Sequence, residues 1–284
     1  MTIDVSAVGW KSEPTVMRYG WQQLTLYALG IGARASDLDY LYEGRGPRAF
    51  PTFAVVPALP QVITCAKHAG VLLDAVVHGG QMVHVLGKLP AEGVLVTRGE
   101  IRAVYDLRIL AQLMVRTFSE LEDGTPICET DWAIHVRGAG GFGGSPPPKV
   151  DRGKVPSGQK ADVRIEQTTL PEQALIYRLS GDTNPLHADP EVAQKHGFER
   201  GPILHGLATL GYSARAIVAA ACDGDADRLR FIQAQFRRPA WPGETLATDI
   251  WHLPDRYVFQ TRVLERNEVV INNAWACIDK LTTD

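Results

Sequence analysis

One stretch of this 284-residue chain gathers side chains that can do chemistry together. It runs Tyr177-Arg-Leu-Ser-Gly-Asp182-Thr-Asn184-Pro-Leu-His187-Ala-Asp-Pro and is followed by Gly201-Pro-Ile-Leu-His205-Gly206-Leu. A carboxylate beside an imidazole activates a water and passes a proton when their environments hold one as base and the other as acid. Asp182 and His187 are five residues apart, which is about 140° round a continuous helix, so on a helix they would not share a face. Gly181 and Pro185 interrupt any helix, and the intervening chain is expected to fold back and aim both groups at one point. Asn184 between them is placed to orient the Asp182 carboxylate or a water. A plainer reading makes Asp182 an Asx-turn residue after a helix and His187 a hydrogen-bonded loop histidine. Local chemistry leaves both readings open.

The elements that must hold these residues can be read around them. Thr169-x-x-Glu172 reads as a capping box ahead of a short helix, with Pro171 tolerable in its first turn. Asp189-Pro190 opens a second short helix that Gly197 closes. From Gly206 to Cys222, apolar residues at 207, 210, 214, 217, 218 and 221 form a helical stripe rich in small residues, able to approach a sheet closely. Beyond Asp227 the period changes to strands near 229–238, 244–253, 256–264 and 268–279, separated by short turns that suit antiparallel pairing. The first half predicts strands near 81–87, 93–106, 111–120 and 126–137. A sheet with one face on a buried helix is an α+β layer arrangement.

At the midpoint, Gly138-Ala-Gly-Gly-Phe-Gly-Gly-Ser-Pro-Pro-Pro148 runs into a polar stretch that sustains neither period. This divides the chain into 1–137, a linker at 138–162, and 163–284. Sliding one half over the other by 150 positions sets Tyr27-Ala-Leu-Gly-Ile-Gly-Ala33 on Tyr177-Arg-Leu-Ser-Gly-Asp-Thr183, and Gly93 on Gly243. The order of elements agrees too, so the halves read as a repeat.

Composition narrows the function. Lys plus Arg total 29 against 32 Asp plus Glu, a net charge of −3, which offers no general cationic surface for nucleic acid but still allows a local patch for a small phosphorylated ligand. The apolar run Ala216 to Cys222 is only seven residues, far short of the roughly 20 that cross a bilayer. The N-terminal residues lack the basic and apolar regions of a secretory signal, and a cytoplasmic location is expected. Cys65, Cys128, Cys222 and Cys277 are dispersed without CxxC spacing, the pattern of buried thiols rather than structural zinc.

The run Tyr177-x-x-Ser-Gly-Asp-x-Asn-Pro-x-His187 with Gly-Pro-Ile-Leu-His-Gly206 resembles the signature of hydratase 2 enzymes in the MaoC-like dehydratase family. The likeness extends to Phe236-Arg-Arg-Pro-Ala-Trp-Pro-Gly-Glu-Thr-Leu246 and, in the first half, to Tyr27-Ala-Leu-Gly-x-Gly-Ala33, Pro51-Thr-Phe, His78-Gly-Gly-Gln81 and the glycine-rich linker. Gly80 stands where the family usually has Glu. The resemblance implies a double hot-dog fold, in which an antiparallel sheet wraps a central helix twice. It implies reversible syn hydration of a trans-2-enoyl-CoA to the (3R)-hydroxyacyl-CoA, with no metal or organic cofactor, in a homodimer.

Carried over by motif position, Asp182 and His187 are the catalytic pair with Asn184 in support. The backbone N–H of Gly206, at the start of the apolar helix, is the donor for the thioester oxygen. His78, Gly79 and Phe236 are expected to contact the ligand. Arg108, Arg230, Arg237 and Arg238 are candidates for the coenzyme A phosphates. His205 either closes the pocket or bonds the Asp189 region, His196 suits a helix C-terminus, and Trp241 and Trp275 read as core or interface. At the 150-residue offset Asp182 falls on Gly32 and His187 on Asp37. The first half therefore lacks the acid/base pair and is expected to hold the acyl chain. An acyl-CoA thioesterase and a non-catalytic acyl-CoA-binding subunit are the alternative readings.

Overall fold

The computed structural model describes residues 2–149 and 152–279. In the first half β1 (Thr15–Tyr19) leads into α1 (Trp21–Gly30), α2 (Leu38–Leu41) and α3 (Val55–His68), then β2 (Val76–Val85), β3 (Gly93–Asp106), β4 (Leu110–Leu121) and β5 (Pro126–Arg137). The second half repeats the plan. Its elements are β6 (Val163–Thr168), α4 (Gln173–Tyr177), α5 (Pro190–Lys195), α6 (Gly206–Ala221), β7 (Leu229–Phe236), β8 (Thr245–His252), β9 (Tyr257–Val263) and β10 (Glu268–Ile278). The ten strands form one antiparallel sheet in the order β1-β3-β4-β5-β2-β7-β10-β9-β8-β6. Reading that order outward from the β2–β7 junction gives the same topology in each direction, which is the double hot-dog arrangement.

Strand alternation selects the face that wraps each helix. Along β4, Ala111, Leu113, Val115, Thr117 and Ser119 are buried while their neighbours stay partly exposed, the period-two signature of a half-buried strand. α3 packs on β3 and β4, and α6 on β8, β10, β6 and β7. α6 buries Leu207, Leu210, Ala214, Ile217 and Val218, and each large apolar side chain removed from water contributes about 1.5–3 kcal/mol. Its small residues bring it close to the sheet, where the Ser213 hydroxyl meets that of Thr261 on β9 at 2.7 Å, and also close to the other half. A Cβ on Gly211 would lie 2.2 Å from Ile31, just beyond α1.

The two halves share more than strand pairing. Gly80 to His84 of β2 pair with Gln235 to Phe231 of β7. The Gln173 amide donates to the carbonyls of Leu29 and Gly30, both at 2.8 Å. Tyr27 and Tyr177, equivalent at the 150-residue offset, bring their rings within 6.0 Å of each other.

Three local expectations are corrected. Thr169 does not cap α4: its hydroxyl donates to the Glu244 carbonyl and accepts from the Gly243 N–H, because the chain leaving β6 is fastened to the turn before β8. β1 and β6 escape the sequence pattern because they are largely exposed edge strands. β2 starts five residues early, at Val76, since Gly79-Gly80 marks a bulge inside a strand and not a turn. Asp189 does cap α5, accepting from the N–H groups of Glu191 and Val192, and Gly197 follows at φ +85°.

Residues 138–149 and 152–162 carry no helix or strand. Their course is fixed even so. The Asp106 carboxylate accepts N–H bonds from Arg108, Gly141 and Gly143 at 2.7–2.9 Å, which hold it below the usual carboxylate range. A Cβ on Gly153 would lie 2.3 Å from the Ala274 carbonyl, so the segment runs directly over β10. Of the cysteines, Cys65, Cys128 and Cys222 are buried and Cys277 is half-buried, all as free thiols.

Candidate active site

The turn carrying Asp182 and His187 is built from its own sequence. Gly181 adopts φ +122° and ends the helical run, its N–H donating to the Arg178 carbonyl, a conformation that favours glycine. Asn184 then caps a single 3-10 turn over Pro185–His187, its side-chain oxygen accepting from the Leu186 N–H at 3.0 Å, with Pro185 in the position where no N–H is needed. The Asn184 side chain is thus occupied as a cap. It reaches the acid through its main chain, whose N–H donates to Asp182 Oδ1 at 3.3 Å. That contact is an Asx turn, so the plainer reading of Asp182 describes its geometry without displacing the chemical one.

His187 is buried, and its Nδ1 lies 2.8 Å from the Ile203 carbonyl. A carbonyl only accepts, so Nδ1 carries the hydrogen and Nε2 is left as the basic nitrogen. Burial pulls the His187 imidazole below its ordinary value, with the Asp182 charge and the Ile203 carbonyl partly opposing the shift. The ring is consequently neutral and ready to take a proton at neutral pH. The Ile203 loop is itself pinned, since the Leu204 N–H donates to Ala240 O and the Trp241 indole donates to Gly201 O.

His205 completes a cluster that spacing alone did not define. Its ring stacks on His187 with centroids 3.7 Å apart and planes 26° from parallel. Its Nε2 donates to the Asp182 main-chain carbonyl at 3.1 Å, not to the Asp189 region. Asp182, His187 and His205 each offer an atom of metal-ligand type within 4.8 Å of the others. One nitrogen of each ring is committed as a donor to a main-chain carbonyl, and a water needs only two or more polar partners such as the remaining atoms offer.

Directly after His205, α6 begins. Its hydrogen-bond ladder starts with the Thr209 N–H donating to the His205 carbonyl, so the Gly206 amide lies ahead of the first rung at the positive end of the helix. A Cβ on Gly206 would lie 3.3 Å from the Phe236 ring, which places Phe236 over that end. Phe236 in turn packs against His78, centroids 4.9 Å apart.

His78 lies at the β2 bulge, where Gly79 is the extra residue between the His78–Ile134 and Gly80–Ala133 pairs. The bulge aims the imidazole inward, where it stacks on Trp132 at 4.9 Å and its Nε2 sits 3.1 Å from the Gly80 carbonyl. Burial pulls its value down to about 4. Gly79 faces the opposite side of the sheet, where a Cβ would overlap the His135 ring at 2.3 Å.

The structure therefore joins Asp182, His187, Gly206, Phe236 and His78 in one continuous set, across both halves. Asn184 borders it, and Gly79 shapes it from behind. The arginines are not gathered with these residues. Arg237 bonds the Gln235 side chain on the outer face, near His135. Arg238 is exposed. Arg108 occupies the β3–β4 turn at φ +70°, three strands from β7. Arg230 lies at the start of β7, at the end of that strand remote from Phe236, paired with Asp279 at 3.6 Å. A small cavity lined by Phe53, Leu95, Ile127 and Arg230 also lies at that far end and shares no residue with the set. His196 Nδ1 donates to the Val192 carbonyl at 2.8 Å, in its own helix end. Trp241 and Trp275 are only half-buried, covered by the guanidinium groups of Arg200 and Arg256 at 4.3 and 4.6 Å.

Beyond His205, the residue the sequence reading passed over is Tyr177. It is quoted as a motif position, yet its ring packs on His205 at 4.8 Å, and burial raises its hydroxyl well above the ordinary value.

Comparison with known proteins places this geometry in context. Residues 154–274 match the family described as MaoC like domain, and residues 17–138 match the MFE-2 hydratase 2 N-terminal domain. Over 290 residues the chain is 34% identical to a probable enoyl-CoA hydratase 2 of Dictyostelium discoideum, covering 99% of this chain and 98% of that one. It is 38% identical over 272 residues to the 3-hydroxyacyl-thioester dehydratase Y of Mycobacterium tuberculosis, covering 93% and 92% respectively. Among solved structures, a MaoC-like dehydratase from Phytophthora capsici superposes with a TM-score of 0.88 at 30% identity, covering 99% of each chain.

Proposed function

The chain belongs to the MaoC-like dehydratase family in its two-repeat hydratase 2 form, and from that premise we propose that Asp182, His187 and Gly206 carry its enoyl-CoA hydratase reaction. The enzyme is a carbon–oxygen lyase that adds water reversibly across the double bond of a trans-2-enoyl-CoA to give the 3-hydroxyacyl-CoA. The observation carrying the assignment of residues is the convergence of the Asp182 carboxylate and the basic Nε2 of a neutral His187 beside the start of α6.

The steps follow from that placement. A water between the two side chains loses a proton to His187 Nε2 as its oxygen bonds to C3. Charge displaced from the double bond collects on the thioester oxygen, where the Gly206 N–H and the helix end stabilise it. The proton taken up by His187 is handed on through the Asp182 carboxylate to C2, on the face the water occupied, which restores both groups; addition is therefore syn and the product is the (3R) alcohol. Phe236 and His78 wall the thioester. The first half supplies His78 and holds the acyl chain, with division at 1–137, 138–162 and 163–284. Arg237 and Arg238, which follow Phe236 directly, are the nearer candidates for the coenzyme A phosphates, with Arg108 more distant. The working unit is a homodimer with a cytoplasmic location. No helix among the described residues is long and apolar enough to cross a membrane.

Incubation with crotonyl-CoA and a longer enoyl-CoA tests the reaction. Loss of the conjugated thioester absorbance without release of free thiol is expected. Appearance of thiol would instead make the protein a thioesterase, and binding without any absorbance change would make it an acyl-CoA-binding subunit.

A further inference from the structure

We propose that His205 is a positioning residue for hydration, holding the Asp182 turn against the His187 ring so that acid and base face one water. The inference rests on the assignment of Asp182 and His187 above. Three observations carry it. His205 is 1% exposed, yet it makes no contact that a purely apolar residue of the same shape could not make except one: its Nε2–H donates to the main-chain carbonyl of Asp182 at 3.1 Å. That bond spans 23 residues and ties the N-terminus of α6 to the turn, whose other ties at Asp182 and Thr183 are local: the 3.3 Å Asn184 contact, the Thr183 N–H to the Gly181 carbonyl at 3.1 Å and a long Arg178 bond to the Thr183 carbonyl. The imidazole also lies on His187 with centroids 3.7 Å apart, so its bond to the Asp182 carbonyl is made directly beside the base.

The Nδ1 of His205 is buried and finds no hydrogen-bond partner among the described residues. An apolar ring would escape the desolvation cost of that nitrogen, so the histidine has to be accounted for by its other face. The ring is also held neutral. Burial is the main cause, with His187 and Arg178 adding to it and the Asp182 carbonyl opposing. A neutral ring presents a π face to the imidazolium that forms on His187 when water gives up its proton, without a competing charge. The titratable groups facing the two rings are Asp182, Arg178 and Tyr177.

His205→Phe keeps the stacked ring and removes the donor; His205→Gln keeps an amide donor and removes the ring. With H205F, kcat is expected to fall about tenfold or more, the rate equivalent of one buried hydrogen bond, with KM changed less than threefold. With H205Q, kcat is expected to recover to within about threefold of wild type. The second readout needs no turnover. Imidazole NMR of the substrate-free protein follows the His187 titration, which is expected at lower pH in H205F, because a loosened Asp182 no longer favours the charged ring, and near its wild-type position in H205Q. The proposal is overturned if H205F retains wild-type kcat, if both variants lose equal activity with an unmoved His187 titration, or if H205Q alone, folded, loses more than tenfold. If the wild-type protein hydrates no enoyl-CoA while the titration still moves as stated, the reaction assigned above fails and the positioning role stands.

Discussion

The loops 31–37 and 181–187 occupy equivalent places in the two repeats, and they serve opposite ends with different backbones: the positive φ lies at Gly32 in one and at Gly181, one position earlier, in the other. In the second half Asp182 and His187 keep the atoms that matter directed at one another, and main-chain carbonyls and amides satisfy the rest. In the first half Gly32 stands where the acid would be, and a Cβ there would lie 2.3 Å from the ring of Tyr212. Asp37 stands where the imidazole would be. Its carboxylate is spent on the Arg34 N–H at 2.8 Å and on Arg215 of α6 at 2.6 Å. Arg215 also donates to the Gly32 carbonyl. The position that carries His187 in one repeat carries a strut in the other, holding the helix that starts at the proposed active site. A polar group can act on a substrate only while the fold leaves it unspent.

The largest effect should come from breaking the reactive loop. D182N and H187Q are each expected to lower kcat for crotonyl-CoA hydration by about 10²- to 10⁴-fold, the range of one acid/base group. Melting temperature should hardly change in D182N, whose carboxylate is only half-buried, and should fall by a few degrees in H187Q, which gives up the buried Nδ1–H bond to the Ile203 carbonyl. A loss of less than tenfold in both variants would remove the pair from the mechanism.

Trying to rebuild chemistry in the other loop sharpens the contrast. G32D places an acid at the equivalent position, but the residue sits at φ +87° and its Cβ meets a ring whose hydroxyl is bonded to Gln173 at 2.7 Å. Tyr212 cannot yield cheaply, so denaturant unfolding should show a loss of about 3 kcal/mol. G32D/D37H should add no hydratase activity, and a gain would show that the first repeat is silent for want of two side chains alone. D37A should cost somewhat less, about 2 kcal/mol or a melting temperature about 5 °C lower, since it leaves the mostly buried Arg215 side chain unpaired. The kcat of the folded fraction should remain near wild type.

Much of this contrast was legible beforehand, and the reason is local. Gly181, Pro185 and the Asp189 cap dictate their backbone within a few residues, so the shape of the reactive turn follows from its own letters. The 150-residue offset likewise exposed Gly32 and Asp37 as substitutes. What could not be read were contacts made across the sequence. The bond from His205 to Asp182, the cover of Phe236 over Gly206 and the Gly79 bulge that turns His78 inward all depend on strand register. The capping box at Thr169 failed for the same reason, its hydroxyl having been taken by the β8 turn. Asn184 was expected to orient the acid or a water, and the sequence did not show that its side-chain oxygen caps the turn while its N–H meets the acid.

The smallest expected effect is a displacement along the pH axis, and it distinguishes a histidine kept for catalysis from one kept for packing. His187 must be neutral to accept a proton, so hydration falls as pH drops through its folded value. Burial lowers that value from the ordinary 6.5, and the acid limb of kcat/KM should therefore lie below pH 6.5. In D182N the carboxylate that favours the charged ring is gone, so the residual activity should show the limb at still lower pH. His78, placed as a wall of the proposed site, should behave differently. Burial holds it at about 4, below its unfolded value, so the unfolded chain binds the extra proton first. Stability is then fully present above about pH 6.5 and is lost as pH falls from there toward 4. H78F should flatten that part of the stability profile while leaving the acid limb of its remaining activity in place. If instead H78F moved the kinetic limb, the titrating base would belong to the first repeat, and the division of labour between the halves would have to be redrawn.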